Sequence, residues 1–131
     1  MKTIEEQLEK YKEKGFDEYQ RGEIRFGLLN GIDVSVFAKQ EFNADQMYEI
    51  RCGLESNLDI SIYAKHEFDE YQMWEIRIGI QEGVDVSLYA KTCFDYYQMD
   101  QIRAILLDKD FYKLEEFGFE KTDIAQLVLE N

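Results

Sequence analysis

The chain has no proline, one histidine, one tryptophan and two cysteines among its 131 residues. Without proline, no helix is interrupted by a missing backbone donor, which is compatible with a helical chain but says nothing of function. Cys52 and Cys93 form neither a C-x-x-C pair nor a metal-ligand spacing, and the pattern predicts reduced thiols in a cytoplasmic protein. Any histidine-based catalytic grouping would have to use His66. No apolar run approaches the ~18–20 residues of a membrane span, and the opening MKTIEEQLEKYKEKG lacks the apolar core of a secretory signal. Basic residues are scarce: 15 Lys and Arg stand against 28 Asp and Glu, for a formal net charge of −13. That balance opposes direct contact with DNA, RNA or an anionic membrane, because phosphate contacts need a positive surface. What is abundant is apolar: 45% of residues are hydrophobic and 15% aromatic, which excludes a disordered chain and suits one domain with a modest core.

The strongest signal is internal repetition. FDEYQRGEIRFGLLNGIDVSVFAKQE begins at Phe16, FNADQMYEIRCGLESNLDISIYAKHE at Phe42 and FDEYQMWEIRIGIQEGVDVSLYAKTC at Phe68. FDYYQMDQIRAILLDKD begins at Phe94 and then diverges. The period is 26 residues without a gap, and the second and third copies share 12 of 26 residues. The chain therefore divides into a capping segment at 1–15, repeats at 16–41, 42–67 and 68–93, and a partial repeat with a C-terminal cap at 94–131.

Each repeat carries the signals of two helices. Asp17, Asn43, Asp69 and Asp95 are N-cap residues, and Gln20, Gln46, Gln72 and Gln98 complete a capping box three positions on. A Phe precedes each cap, and Met47, Met73 and Met99 follow it at staple spacing; Arg21 takes that place in the first copy. Met47, Ile50 and Leu54, like Met73, Ile76 and Ile80, mark one apolar stripe. The helix is predicted to end at Gly31, Asn57 and Gly83, residue types that accept the left-handed C′ conformation. Asp33, Asp59 and Asp85 then cap a second segment, VSVFAK, ISIYAK or VSLYAK. Its alternation permits a strand, but the caps and the tight return to the next Phe favour a helix of about two turns. Gly27, Gly53 and Gly79 inside the first helix predict a close backbone approach by a neighbouring helix; in the fourth copy the column holds Ile105, facing a different element. Thr3 with Glu6 opens an N-terminal cap helix, Gly118 closes FYKLEEF, and Asp123 with Gln126 opens a last helix. The fold class expected is all-α: a right-handed, solenoid-like stack of short two-helix repeats, nine or ten helices in all, with capping helices at both ends.

Little in this pattern suggests catalysis. Glu23, Glu49 and Glu75 stand two residues before Arg25, Arg51 and Arg77, and Gln101 before Arg103. An arginine ladder for phosphates or carboxylates is one reading. Ion pairing within or between repeats is favoured, because residues that recur in every copy maintain the repeat. The D-x-S of Asp33, Asp59 and Asp85 lacks the ligand alternation and glycine of a calcium loop and is read as capping. No metal site and no cofactor are expected.

Columns that vary between copies are better candidates for specific recognition. One reads Gly22, Tyr48, Trp74, Asp100; a second Glu18, Ala44, Glu70, Tyr96; a third Tyr19, Asp45, Tyr71, Tyr97. Tyr48, Tyr71, Trp74, Tyr96, Tyr97 and Asp100 form an aromatic surface rimmed by acids, the composition of interface hot spots, with Trp74 as its main contact. Tyr71 and Tyr97 are equally suited to packing between repeats. Negative charge rises along the chain: residues 1–15 are neutral, the three full repeats carry −2, −3 and −3, and residues 94–131 carry −5. Asp108, Asp110, Glu115 and Glu116 belong to that last excess, which serves either solubility or the steering of a basic partner.

The pattern F-[DN]-x-x-Q-M-x-E-I-R-x-G-[LI], followed by [ILV]-D-[VI]-S-x-[YF]-A-K, spans residues 16–107 and resembles short helical repeats of proteins from Clostridia-like Firmicutes, often on phages and mobile elements. Arg21 and the diverged fourth copy depart from it. Small acidic proteins of such elements include inhibitors of host defence such as anti-CRISPR proteins. The resemblance thus implies a non-enzymatic inhibitor of a nucleic-acid-handling defence enzyme and transfers no functional residue. A protein–protein adaptor without inhibitory role is the alternative. Either way the partner expected is a protein, with a basic surface in the inhibitor case.

Overall fold

The computed structural model describes residues 1–131 and is entirely helical, with six α-helices and four 3₁₀ segments. The α-helices are α1 (Ile4–Glu13), α2 (Glu18–Leu29), α3 (Ala44–Glu55), α4 (Glu70–Glu82), α5 (Tyr96–Asp108) and α6 (Lys121–Glu130). Between them lie η1 (Val34–Val36), η2 (Ile60–Ile62), η3 (Val86–Leu88) and η4 (Phe111–Phe117).

The capping boxes form in all four copies. In α3, Gln46 N–H donates to Asn43 Oδ1 at 2.8 Å, and Asn43 N–H donates to Gln46 Oε1 at 2.9 Å. The same reciprocal pair opens α2, α4 and α5. The ends are as local as the starts: Gly31, Asn57 and Gly83 have φ of 69°, 55° and 79°. Lys109 takes this left-handed role after α5 at φ 58°.

The second segment of each repeat is one 3₁₀ turn rather than a two-turn helix. Each Asp cap accepts from the N–H and the hydroxyl of the Ser two residues on; for Asp59 the distances to Ser61 are 3.1 and 2.6 Å. That bond fixes a tight turn at the outset. The β-branched residues flanking that serine then gain little by propagating a helix. The turn closes at Ala64, whose N–H donates to Ile60 O at 2.8 Å, and the chain returns to Phe68.

The diverged fourth copy keeps part of the pattern, although its 3₁₀ segment runs over seven residues and Asp110 makes no side-chain cap bond. Lys109, Asp110, Phe111 and Leu114 follow α5 as Gly83, Asp85, Val86 and Tyr89 follow α4, with one residue fewer between the left-handed cap and the aspartate. Phe111 and Leu114 are buried as Val86 and Tyr89 are. The last helix opens at Lys121 after Glu120, so Asp123 lies in its first turn instead of capping it.

Along the chain α1 packs on α2, α2 on α3, α3 on α4 and α4 on α5, while η4 bridges α5 and α6. One apolar core runs through all of them: Ile24, Met47, Ile50, Met73, Ile76, Met99 and Ile102 are wholly buried.

The glycine column is explained by the 3₁₀ turns, not by a neighbouring helix backbone. The hydroxyl of Tyr63 donates to Glu49 O at 2.8 Å, and that of Tyr89 to Glu75 O at 2.8 Å. Each phenol thus lies flat across its own repeat's α-helix. A Cβ on Gly53 would overlap the Tyr63 hydroxyl and stand 2.5 Å from Ile60 Cγ2; Gly79 meets Tyr89 the same way. α5 carries Ile105 in this column, and the residue in the register of Tyr89 is Leu114, which has no hydroxyl and less bulk; both are buried.

Candidate functional site

Two sets of side chains join one repeat to the next. Gln20, Gln46 and Gln72 donate their amide N–H groups to Phe42 O, Phe68 O and Phe94 O at 2.8, 2.7 and 2.8 Å. The second set is the arginine column. Arg51 Nε donates to Glu23 at 2.8 Å, Arg77 to Glu49 at 2.8 Å and Arg103 to Glu75 at 3.1 Å, always from one repeat to the one before. Arg25 pairs in the same sense with Glu5 of α1. The arginines are therefore committed to inter-repeat ion pairs. Burial raises the carboxyls of Glu49 and Glu75 above the ordinary range, and their arginine partners offset only part of it.

Beside this column the aromatic candidates come together. Tyr48 is 45% exposed, Tyr71 58%, Trp74 41% and Tyr97 67%, while Tyr96 is half-buried. Part of this group serves the fold. The Arg51 guanidinium lies 5.2 Å from the ring centroids of both Phe26 and Tyr48, and that of Arg103 6.0 Å from Trp74. These contacts add a cation–π attraction to two of the ladder arginines. Tyr71 and Tyr96 rings lie 5.2 Å apart, and Tyr96 stacks on Tyr97 at 4.3 Å. The neighbouring Tyr97 phenol raises the pKa of the Tyr96 phenol above its ordinary value. Asp100 is bonded to Arg103 Nη2 at 2.7 Å. An open groove between α3 and α4 is lined by Asp45, Tyr48, Glu49, Glu70, Tyr71 and Trp74.

No family model, curated protein or solved structure matches this chain.

The acidic candidates lie elsewhere. Asp108 is eleven residues beyond Tyr97 on α5, about 16 Å along the axis at ~1.5 Å per residue. Asp108, Asp110, Glu115 and Glu116 are all exposed at that far end and in η4. Asp110 holds Lys113 at 3.0 Å and raises its ammonium pKa. The acidic candidates thus lie apart from the aromatic ones, which stand on α3, α4 and the first turn of α5. The sequence reading missed Asp45, Glu49 and Glu70 as groove walls. Their signal was the position of Asp45 and Glu70 in the same variable columns as Tyr71 and Tyr96.

No group of three or more His, Cys, Asp or Glu side chains is arranged to hold a metal ion, and no helix is long and apolar enough to cross a membrane. His66 lies 3.1 Å from Glu67 and 4.0 Å from Glu41 on an exposed rim.

Proposed function

We propose that this chain is a non-enzymatic, cytoplasmic helical-repeat protein whose solenoid-like array of short helices displays a binding face for another protein. The observation that carries this reading is the face itself: Tyr48, Tyr71, Trp74 and Tyr97 are 41–67% exposed on consecutive helices, beside carboxylates. Rigid aromatic rings in a polar rim supply contact area with little loss of side-chain freedom on binding. With a net charge of −13, the partner best suited to the face is a protein with a basic surface. A protein that keeps such a surface for nucleic acid would be blocked by this one, so inhibition of a nucleic-acid-handling defence enzyme, in the manner of anti-CRISPR proteins, is the specific form of the proposal. Direct nucleic-acid binding is no part of it.

A regulatory adaptor is the second reading. It is favoured by the separation of the aromatic face from Asp108, Asp110, Glu115 and Glu116, which allows the aromatic face to bind alone.

Affinity capture from the native host, at low and high salt, separates the two. Inhibition predicts a captured protein that is released by salt and by Asp108→Lys with Glu115→Lys, and that loses its nucleic-acid binding when complexed. The adaptor reading predicts capture that resists salt and is abolished by Trp74→Ala. Capture untouched by either set of substitutions would sink both readings. Turnover by the isolated protein that is lost in Glu75→Gln would make it an enzyme instead.

A further inference from the structure

The repeats bring equivalent side-chain positions together between α2 and α3, α3 and α4, and α4 and α5, and the three sets are not alike. Between α2 and α3, Gly22 and Asp45 stand where Tyr48 and Tyr71 do, and Ala44 where Glu70 does. The position between α4 and α5 is filled, because Tyr96 leans on Tyr71 at 5.2 Å and Asp100 is bound to Arg103. Between α3 and α4 the position of Tyr96 is taken by Glu70, and the groove stays open. Its walls are Tyr48 on one helix and Tyr71 and Trp74 on the other, and its rim carries Asp45, Glu49 and Glu70. Glu49 is held by Arg77, but Asp45 and Glu70 have no ion-pair partner in the chain.

We infer that this groove is a pocket for one cationic side chain, an arginine guanidinium above all, presented by the partner. The chemistry fits in two respects. A guanidinium stacks on aromatic faces, as the protein's own Arg51 and Arg103 do over Tyr48 and Trp74 a few ångströms away. Its edge N–H groups then face carboxylates with no other cation to satisfy them. The inference deepens the protein-binding reading and rests on the same face.

Trp74 is the only tryptophan, so its fluorescence reports on the pocket directly. The probes are N-acetyl-arginine amide and its neutral isostere, N-acetyl-citrulline amide. The expected result is a saturable change with the arginine derivative at millimolar concentration, roughly five- to tenfold weaker with citrulline. Asp45→Asn with Glu70→Gln, two changes at residues without intrachain ion pairs, should weaken the arginine response by a similar factor while leaving the melting curve in place. Asp108→Asn with Glu115→Gln should leave it unchanged. An equal response to citrulline, a response that survives Asp45→Asn with Glu70→Gln, or no saturable change overturns the pocket. Capture of a partner undiminished by that double substitution also overturns it while sparing the wider face. Arginine binding with no partner captured sustains the pocket and removes the protein-binding reading.

Discussion

Gln20, Gln46 and Gln72 each hold two structures together. The side-chain oxygen closes the capping box of its own helix, and the amide nitrogen reaches the Phe carbonyl of the next repeat. A glutamate serves a capping box equally well but has no donor for the second bond. The consistent choice of glutamine in all four copies was visible in the sequence; its reason, a carbonyl 22 residues away, was not. Gln98 has the box without an onward bond. Gln46→Glu should therefore destabilise the fold by about 1–3 kcal/mol, since it sets a carboxylate against a buried carbonyl. Gln98→Glu should change stability by less than about 0.5 kcal/mol. Denaturant unfolding of the two variants makes the comparison, and equal losses would remove the second role from Gln46.

At the scale of the element, each repeat is an α-helix with a 3₁₀ turn folded across it, and glycine with tyrosine is the fit between them. Gly53→Ala would gain about 1 kcal/mol of helix propensity in a free helix. Here the added methyl meets the Tyr63 hydroxyl and Ile60, and the net effect should be a loss of about 1–3 kcal/mol. Removing the hydroxyl relieves part of that clash, so Gly53→Ala should be less harmful in a Tyr63→Phe background. A double-mutant cycle should show a coupling of about 1 kcal/mol. Additive losses would mean that the backbone, rather than the phenol, excludes the methyl. The first repeat already has Phe37 opposite Gly27, with a wholly buried ring and no hydroxyl. Helix starts and stops were legible in the sequence because caps act over two to four residues. The second segment was legible in place but not in form: its length depends on the Asp33, Asp59 and Asp85 turns, which stop a helix the residue pattern would have let run on.

Across the whole molecule, charge sets the response to solvent. Glu49 and Glu75 are raised by burial, so the folded state takes up protons there more readily than the unfolded chain. Their contribution is present below the ordinary carboxylate range and is lost as pH rises through their elevated values. Asp33, Asp59 and Glu55 are lowered by hydrogen bonds, to Ser35, Ser61 and Arg51 respectively, and their contribution is lost at the acid end. Mutual repulsion at −13 adds to the first trend. The melting temperature should thus rise as pH is lowered from 7 to about 5 and fall again in stronger acid, with added salt flattening the repulsive part. Glu49→Gln with Glu75→Gln should show a smaller rise, measured by circular dichroism at fixed ionic strength; curves parallel to the wild type would contradict this assignment. The sequence displayed the recurring Glu and Arg but not their register, because the partners meet across a repeat boundary, 28 residues apart. Nor did it show how far apart the aromatic and acidic candidates stand, with Tyr97 and Asp108 at opposite ends of α5.

Two bonds recur at every repeat boundary: glutamine to the next Phe carbonyl, and arginine back to the previous glutamate. A further copy of residues 42–67 spliced in after Glu67 would find both waiting on either side. Duplication in whole units therefore extends the array without inventing an interface, and each added unit brings one more groove whose walls are free to diverge. Gene length becomes a dial for the number of such grooves.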